Sequence, residues 1–160
     1  MDKGKHIMAF KDNTAEVKKS VREALEQAAH IIGGMMETNA KKNITNFMWE
    51  HKTRNIKNET FHAAVDTGLL RNSITYAVSG GPASITTYKA DTGGGAGSYG
   101  GTAPEEENGV RVYIGTNVQY RPYIELGTRS IPAVHFLQDA AENHNEQYKK
   151  VIDTMLNQIE

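Results

Sequence analysis

The passage from Val110 to Leu137, VRVYIGTNVQYRPYIELGTRSIPAVHFL, changes backbone regime repeatedly within a short length, and any fold for this chain must absorb those changes. Val110, Val112 and Ile114 alternate with Arg111 and Tyr113, which predicts a strand with one buried face. Gly115 ends that run. Tyr120, Tyr123, Ile124 and Leu126 form a second apolar segment around Pro122, whose missing N–H restricts the segment to an edge strand, a bend or a short helical turn. Gly127 suits a turn that requires positive φ. Ile131-Pro132 enforces an extended approach, and Phe136-Leu137 opens an amphipathic pattern that runs to the C-terminus.

Upstream, Val17, Val21, Ala24, Leu25, Ala28, Ile31, Ile32 and Met35 recur at intervals of three and four, with charged residues between them. That spacing predicts a helix near residues 14–36, capped by Asn13 or Thr14 with Glu16 in its first turn. Gly33-Gly34 predicts a bend, or a place where another helix comes close, rather than an end, with a simple weak point in the helix as the alternative. Ile44, Phe47 and Met48 offer a face for continued helix beside Trp49, and the polar stretch from His51 to Thr60 reads as loop. Phe136, Leu137, Ala140, Ala141, His144, Tyr148, Val151, Ile152, Met155 and Ile159 predict a second long helix, near 136–158.

Between the helices, Asp66-Thr67-Gly68 is turn chemistry leading into a short helical turn at Leu69–Ser73. Ile74, Tyr76 and Val78 alternate as a strand, and Ser84–Lys89 reads as its hairpin partner. Residues 91–109, DTGGGAGSYGGTAPEEENG, have no periodicity and predict a long mobile loop. The fold expected is α+β: an antiparallel sheet of three or four strands packed against two long helices, one at each end of the chain, with a long glycine-rich loop. A single domain covering residues 1–160 accounts for the length, with residues 1–12 expected to be flexible.

Composition narrows the function classes. Net charge is −1, which gives no electrostatic support for sequence-specific nucleic-acid binding. Cysteine is absent, excluding disulfides and thiolate chemistry. The N-terminal MDKGKHIMAFKDNT has no sustained apolar core, so no signal peptide is expected, and no apolar run approaches membrane-spanning length.

Two segments resemble a known family. Tyr120-Arg121-Pro122-Tyr123-Ile124-Glu125-Leu126-Gly127-Thr128, followed by Pro132-Ala133 and Phe136-Leu137, is similar to the signature of neck proteins of long-tailed bacteriophages and prophages, which complete the tail and join it to the head. Val65-Asp66-Thr67-Gly68-Leu69-Leu70-Arg71-Asn72-Ser73-Ile74 is similar to a second piece of that signature, D-T-G-x-L-R-x-S-I. The chain departs from the pattern at Val134-His135, where such proteins often carry Arg-Pro. The resemblance implies a structural virion protein: a homo-oligomeric ring between the head-side connector and the tail, with DNA passing through it. It implies no cofactor and no metal, and a location in the virion neck after assembly in the bacterial cytoplasm. A tail terminator ring is the alternative within the same setting. On this reading the flexible glycine stretch orders against a neighbouring subunit through Gly93, Gly95, Tyr99 and Gly101.

The competing chemistry is weaker. Asp66-Thr67-Gly68 matches the aspartic-protease tripeptide, but that mechanism needs two carboxylates sharing a proton, hence a homodimer, and the residues after Gly68 read as helix. The structural turn is the better reading. The glycines of 93–101 lack the Gly-Lys-Ser/Thr of a phosphate loop, and the six histidines show no ligand spacing. Glu125, set between Ile124 and Leu126, calls for a partner if shielded, with Arg71, Arg121 and Arg129 as candidates, and a structural role.

Overall fold

A computed structural model describes residues 12–52, 68–129 and 132–159. Asp66, Thr67 and the segment expected to be flexible at the N-terminus, apart from Asp12, lie outside the described residues.

One helix dominates. α1 (Thr14–Lys52) runs unbroken for 39 residues, about 58 Å at 1.5 Å per residue. The Thr14 N–H donates to Asp12 Oδ1 at 2.9 Å, satisfying one of the donors that a helix start leaves orphaned. The Thr14 side chain, together with that backbone bond, holds the Asp12 carboxyl below its usual range. The first two turns carry exposed residues only; Ala24, Ala28, Ala29, Ile32, Ala40 and Ile44 then lie buried along the inner face. The expected helix near 14–36 is therefore the first half of a longer one. Gly33 explains why the glycine pair does not end it: a Cβ there would come within 2.2 Å of the Tyr76 ring, whereas one on Gly34 would meet nothing within 4 Å. What comes close is an aromatic side chain from a strand, not a second helix.

After α2 (Leu69–Ser73), strand β1 (Thr75–Val78) leads to β2 (Thr87–Lys89) and β3 (Ala96–Ser98), and then to β4 (Val112–Gly115). β1 pairs antiparallel with β4, Thr75 opposite Gly115 and Val78 opposite Val112. β2 pairs antiparallel with β3, Tyr88 opposite Gly97. The expected single sheet of three or four strands is thus two separate two-stranded sheets, one nested within the sequence of the other. Ala83, just before the Ser84–Lys89 segment, bridges Ala77 of β1, and the Ser84 N–H donates to the Tyr76 carbonyl at 2.7 Å, before the chain turns away to pair with β3. β3 lies inside the stretch read as a structureless loop.

α3 (Arg121–Glu125) is a short helix with Pro122 in its first turn, where a missing N–H costs nothing. The expected second long helix is broken into α4 (Phe136–Glu142) and α5 (Asn145–Leu156), separated at Asn143-His144. Both pack on α1, as do β1 and β4. The core joins Ala40, Ile44, Leu70, Ile74, Val118, Ile124, Phe136 and Ala140, with Leu69, Tyr88, Ile114, Tyr120, Val134 and Leu137 around it.

Candidate functional site

Both segments that carry the resemblance end in this core. In the first, Gly68 takes φ 68° and ψ 1°, left-handed backbone that glycine adopts without a Cβ clash, and α2 starts directly after it. A side chain at Gly68 would also strike Asp91, whose Oδ2 lies 2.1 Å from an added Cβ. Asp91 is held there by an ion pair with Arg71 and by Asn72 Nδ2, which donates to Asp91 Oδ1 at 2.8 Å and to the Lys89 carbonyl at 3.0 Å. Arg71 and Asn72 therefore fasten α2 to the start of the glycine-rich stretch. Leu70 faces inward, 1% exposed. Buried Ser73 donates to the Leu70 carbonyl at 2.7 Å and shares a hydrogen bond with buried Thr116, which accepts from the Val118 N–H at 3.2 Å. The two hydroxyls are consumed by structure.

In the second segment, Ile124 is buried and anchors α3. Glu125 bends back over the next helix: its Oε2 accepts from the Leu137 N–H at 3.0 Å and its Oε1 from the Gln138 N–H at 2.9 Å. The carboxylate caps the start of α4, where negative charge is favoured. The partner of Glu125 is thus backbone, while Arg71, one of the expected arginines, pairs with Asp91. Two further bonds tie the segments, Val134 N–H to the Ile124 carbonyl at 3.0 Å and His135 N–H to the Glu125 carbonyl at 3.1 Å. Gly127 has φ 74°, the turn that its position implied. His135 has φ 51°. Proline is locked near −65° and could not take this conformation, so the departure from the family's Arg-Pro is built into the backbone here. The His135 Nδ1 atom is buried with no hydrogen-bond partner among the described residues. Phe136 is fully buried, Leu137 half-buried and Pro132 exposed.

The glycine-rich stretch is fastened by tyrosines. Tyr99 donates its hydroxyl proton to the Ser73 carbonyl and accepts from the Asn117 N–H at 3.1 Å. Tyr88 donates to Asn117 Oδ1, and Asn117 Nδ2 donates to the Ser98 carbonyl at 2.9 Å. The Tyr88 and Tyr99 rings stand 5.5 Å apart. Burial, with Tyr99 alongside, pushes the Tyr88 phenol above its usual value. Tyr88 also explains the glycine opposite it: a Cβ on Gly97 would lie 2.4 Å from the Tyr88 ring. Of the expected interface residues, Tyr99 thus spends its hydroxyl within its own subunit, while Gly93 and Gly101 border open space. Nothing in the periodicity pointed to Asn117 as the hub; the only sequence cue was a pair of tyrosines flanking a run of small residues.

Among the described residues, no group of three or more His, Asp or Glu side chains could hold a metal ion. The carboxylate lying against Gly68 is Asp91, charge-paired with Arg71 rather than sharing a proton with a second acid. No helix among the described residues is long and apolar enough to cross a membrane. The surface does carry large exposed apolar side chains: Tyr123, 60% exposed, and Leu126, 70% exposed, on and just after α3, with Val17 and Ile31 on α1. No protein-family model matches this chain, and neither a curated protein nor a solved structure shows significant similarity to it.

Proposed function

We propose that the chain is a non-enzymatic structural subunit of a tailed-phage or prophage neck, forming a ring between the head-side connector and the tail. The observation that carries this reading is the use to which the two resembling segments are put. Leu70, Ile74, Ile124 and Phe136 meet in one core, Gly68 and Arg71 fasten a turn, and Glu125 caps a helix. Residues that set the motif are spent on holding a frame, as expected of a subunit whose work is shape. In this role it needs no cofactor, acts in the virion, and contacts DNA only as the molecule passing through the ring.

Electron microscopy of native particles from a host carrying this gene tests the proposal. Density for this chain as a ring at the head–tail junction is the expected result. Density at the far side of the tail tube's cap would favour a terminator. Pepstatin-sensitive cleavage of an unfolded substrate, lost in Asp66→Asn, would replace the reading with a homodimeric protease.

A further inference from the structure

The two ends of the β1–β4 ladder carry opposite and unsatisfied surfaces. β4 runs from Val112 to Gly115 and continues through Thr116–Tyr120 into α3. At that exit end, Tyr123 and Leu126 stand exposed, flanked by exposed Arg121 and Arg129. Neither arginine has an ion-pair partner among the described residues. At the entry end lies the run Glu105-Glu106-Glu107. Its middle member is committed, accepting from the Tyr113 hydroxyl at 3.0 Å and pairing with Arg111 at 3.1 Å. Glu105 and Glu107 are exposed and have no ion-pair partner among the described residues.

Both surfaces are held firmly. The acidic run is pinned to the far end of β1 by Gly80 N–H bonds to the Ala103 and Pro104 carbonyls and by Ala103 N–H to the Gly81 carbonyl. α3 is held by the Ile124 and Glu125 bonds to Val134 and His135. Positive charge around an apolar knob and negative charge on a fixed loop are complementary, but one subunit presents them at opposite ends of the same strands and cannot join them. A second copy of the chain can.

We propose that Tyr123 and Leu126, with Arg121 and Arg129, dock on the Glu105–Glu107 loop of a second copy, head to tail. Such a contact joins two different patches, so it repeats from copy to copy and generates a closed ring when the rotation allows. Charge complementarity sets its orientation and suppresses knob-to-knob pairing. The inference rests on the ring-subunit reading for the closure into a ring; the head-to-tail contact itself is a property of the chain.

The absence of cysteine makes the test clean, since introduced thiols are the only ones. Full-length Leu126→Cys mixed with full-length Glu107→Cys should give a disulfide-linked dimer on mild oxidation, with little product from either variant alone. A Leu126→Cys dimer forming as readily by itself would mean knob-to-knob contact and overturn the proposal. Charge reversal provides the second arm. Arg121→Glu/Arg129→Glu and Glu105→Arg/Glu107→Arg should each lower self-association, read by sedimentation, by about tenfold or more, and an equimolar mixture should recover it, because each variant then supplies the other's complement. Failure of the mixture to recover, with both variants folded by circular dichroism, overturns the proposal. A chain located in the neck but giving no mixed disulfide there sinks this contact and leaves the neck reading intact; a mixed disulfide from a chain absent from the neck does the reverse.

Discussion

The two strand pairs solve the same problem by different means. β1 and β4 are held by apolar burial: Ile74 and Val78 face inward, Tyr76 lies against Gly33 of α1, and His30 meets the Tyr76 ring edge-on at 6.1 Å. β2 and β3 contribute little apolar area beyond Tyr88, which packs against the core, since their other inward residue is Gly97 and their outward ones are Thr87, Lys89, Ala96 and Ser98. They are held instead by Tyr88 lying over Gly97 and by the hydroxyl–amide network through Asn117 and Tyr99. Area burial is spread over many atoms and degrades gradually, whereas a hydrogen-bond network fails at one atom. The larger pair should therefore share the stability of the whole domain, and the smaller one should be able to loosen by itself.

The strongest way to break that contrast is to remove something both pairs depend on. Phe136→Ala empties a fully buried site in the common core and should cost about 3–5 kcal/mol. Hydrogen exchange should then show protection falling together in α1, β1 and β4; loss confined to α4 would mean that the core is not shared. A smaller effect is expected at the contact between α1 and the larger pair. Gly33→Ala drives a methyl group into the Tyr76 ring and should destabilise by about 1–3 kcal/mol, despite the helix propensity that alanine gains. Thermal melts of Gly33→Ala and Gly34→Ala side by side isolate the clash. Gly34 faces open space, so its replacement should stabilise by about 0.5–1 kcal/mol.

Tyr99→Phe sharpens the comparison from the other side. It leaves the Ser73 carbonyl without its phenol donor and the Asn117 N–H without its acceptor, at about 1–2 kcal/mol. Exchange protection should drop in β2 and β3 while β1 and β4 keep theirs. Equal loss in both pairs would show that they unfold as one. The smallest effect is a pH dependence. Burial raises the phenol pKa of Tyr88, Tyr120 and Tyr148 above the ordinary 10.0. The fold thus holds these protons more tightly than the unfolded chain does. Their contribution is intact below pH 10 and is lost as pH rises from there through the raised values. Denaturant midpoints at pH 9 and pH 11 should differ in that direction, and less so in Tyr148→Phe.

What the sequence disclosed follows the same division. Val17 to Met35 announced a helix because its apolar residues recur every three or four positions, and Ile44 carried the hint that it continues. Val112 and Ile114 alternate, and they form a strand. The turn at Gly68 followed from residue chemistry alone, whereas Pro122 left an edge strand, a bend and a short helical turn open, and the chain takes the last. β3 left no trace, because Ala96-Gly97-Ser98 has only one alanine as its apolar member, with nothing to alternate with, and its glycine is demanded by a tyrosine across the ladder. The break at Asn143-His144 was hidden for a related reason: Ala140 and Tyr148 lie on one helical period whether or not the backbone between them is continuous. Glu125 was read either as an exposed residue or as a shielded one in need of a partner, and periodicity cannot show that the partner is a helix start twelve positions away.

The nesting of the two strand pairs also orders events in time. Thr75 and Gly115 must meet across a long intervening chain, and that chain contains the whole of the β2–β3 hairpin. If the hairpin closes first, the flexible length that the outer pair must bridge is shortened, and the entropic barrier to its closure falls with it. Gly97→Val, which wedges apart a pair contributing little to equilibrium stability, should on that account slow refolding more than it speeds unfolding. Stopped-flow traces showing the reverse would place the outer pair first. The least apolar segment of the chain would then be the one that sets the pace for the most apolar.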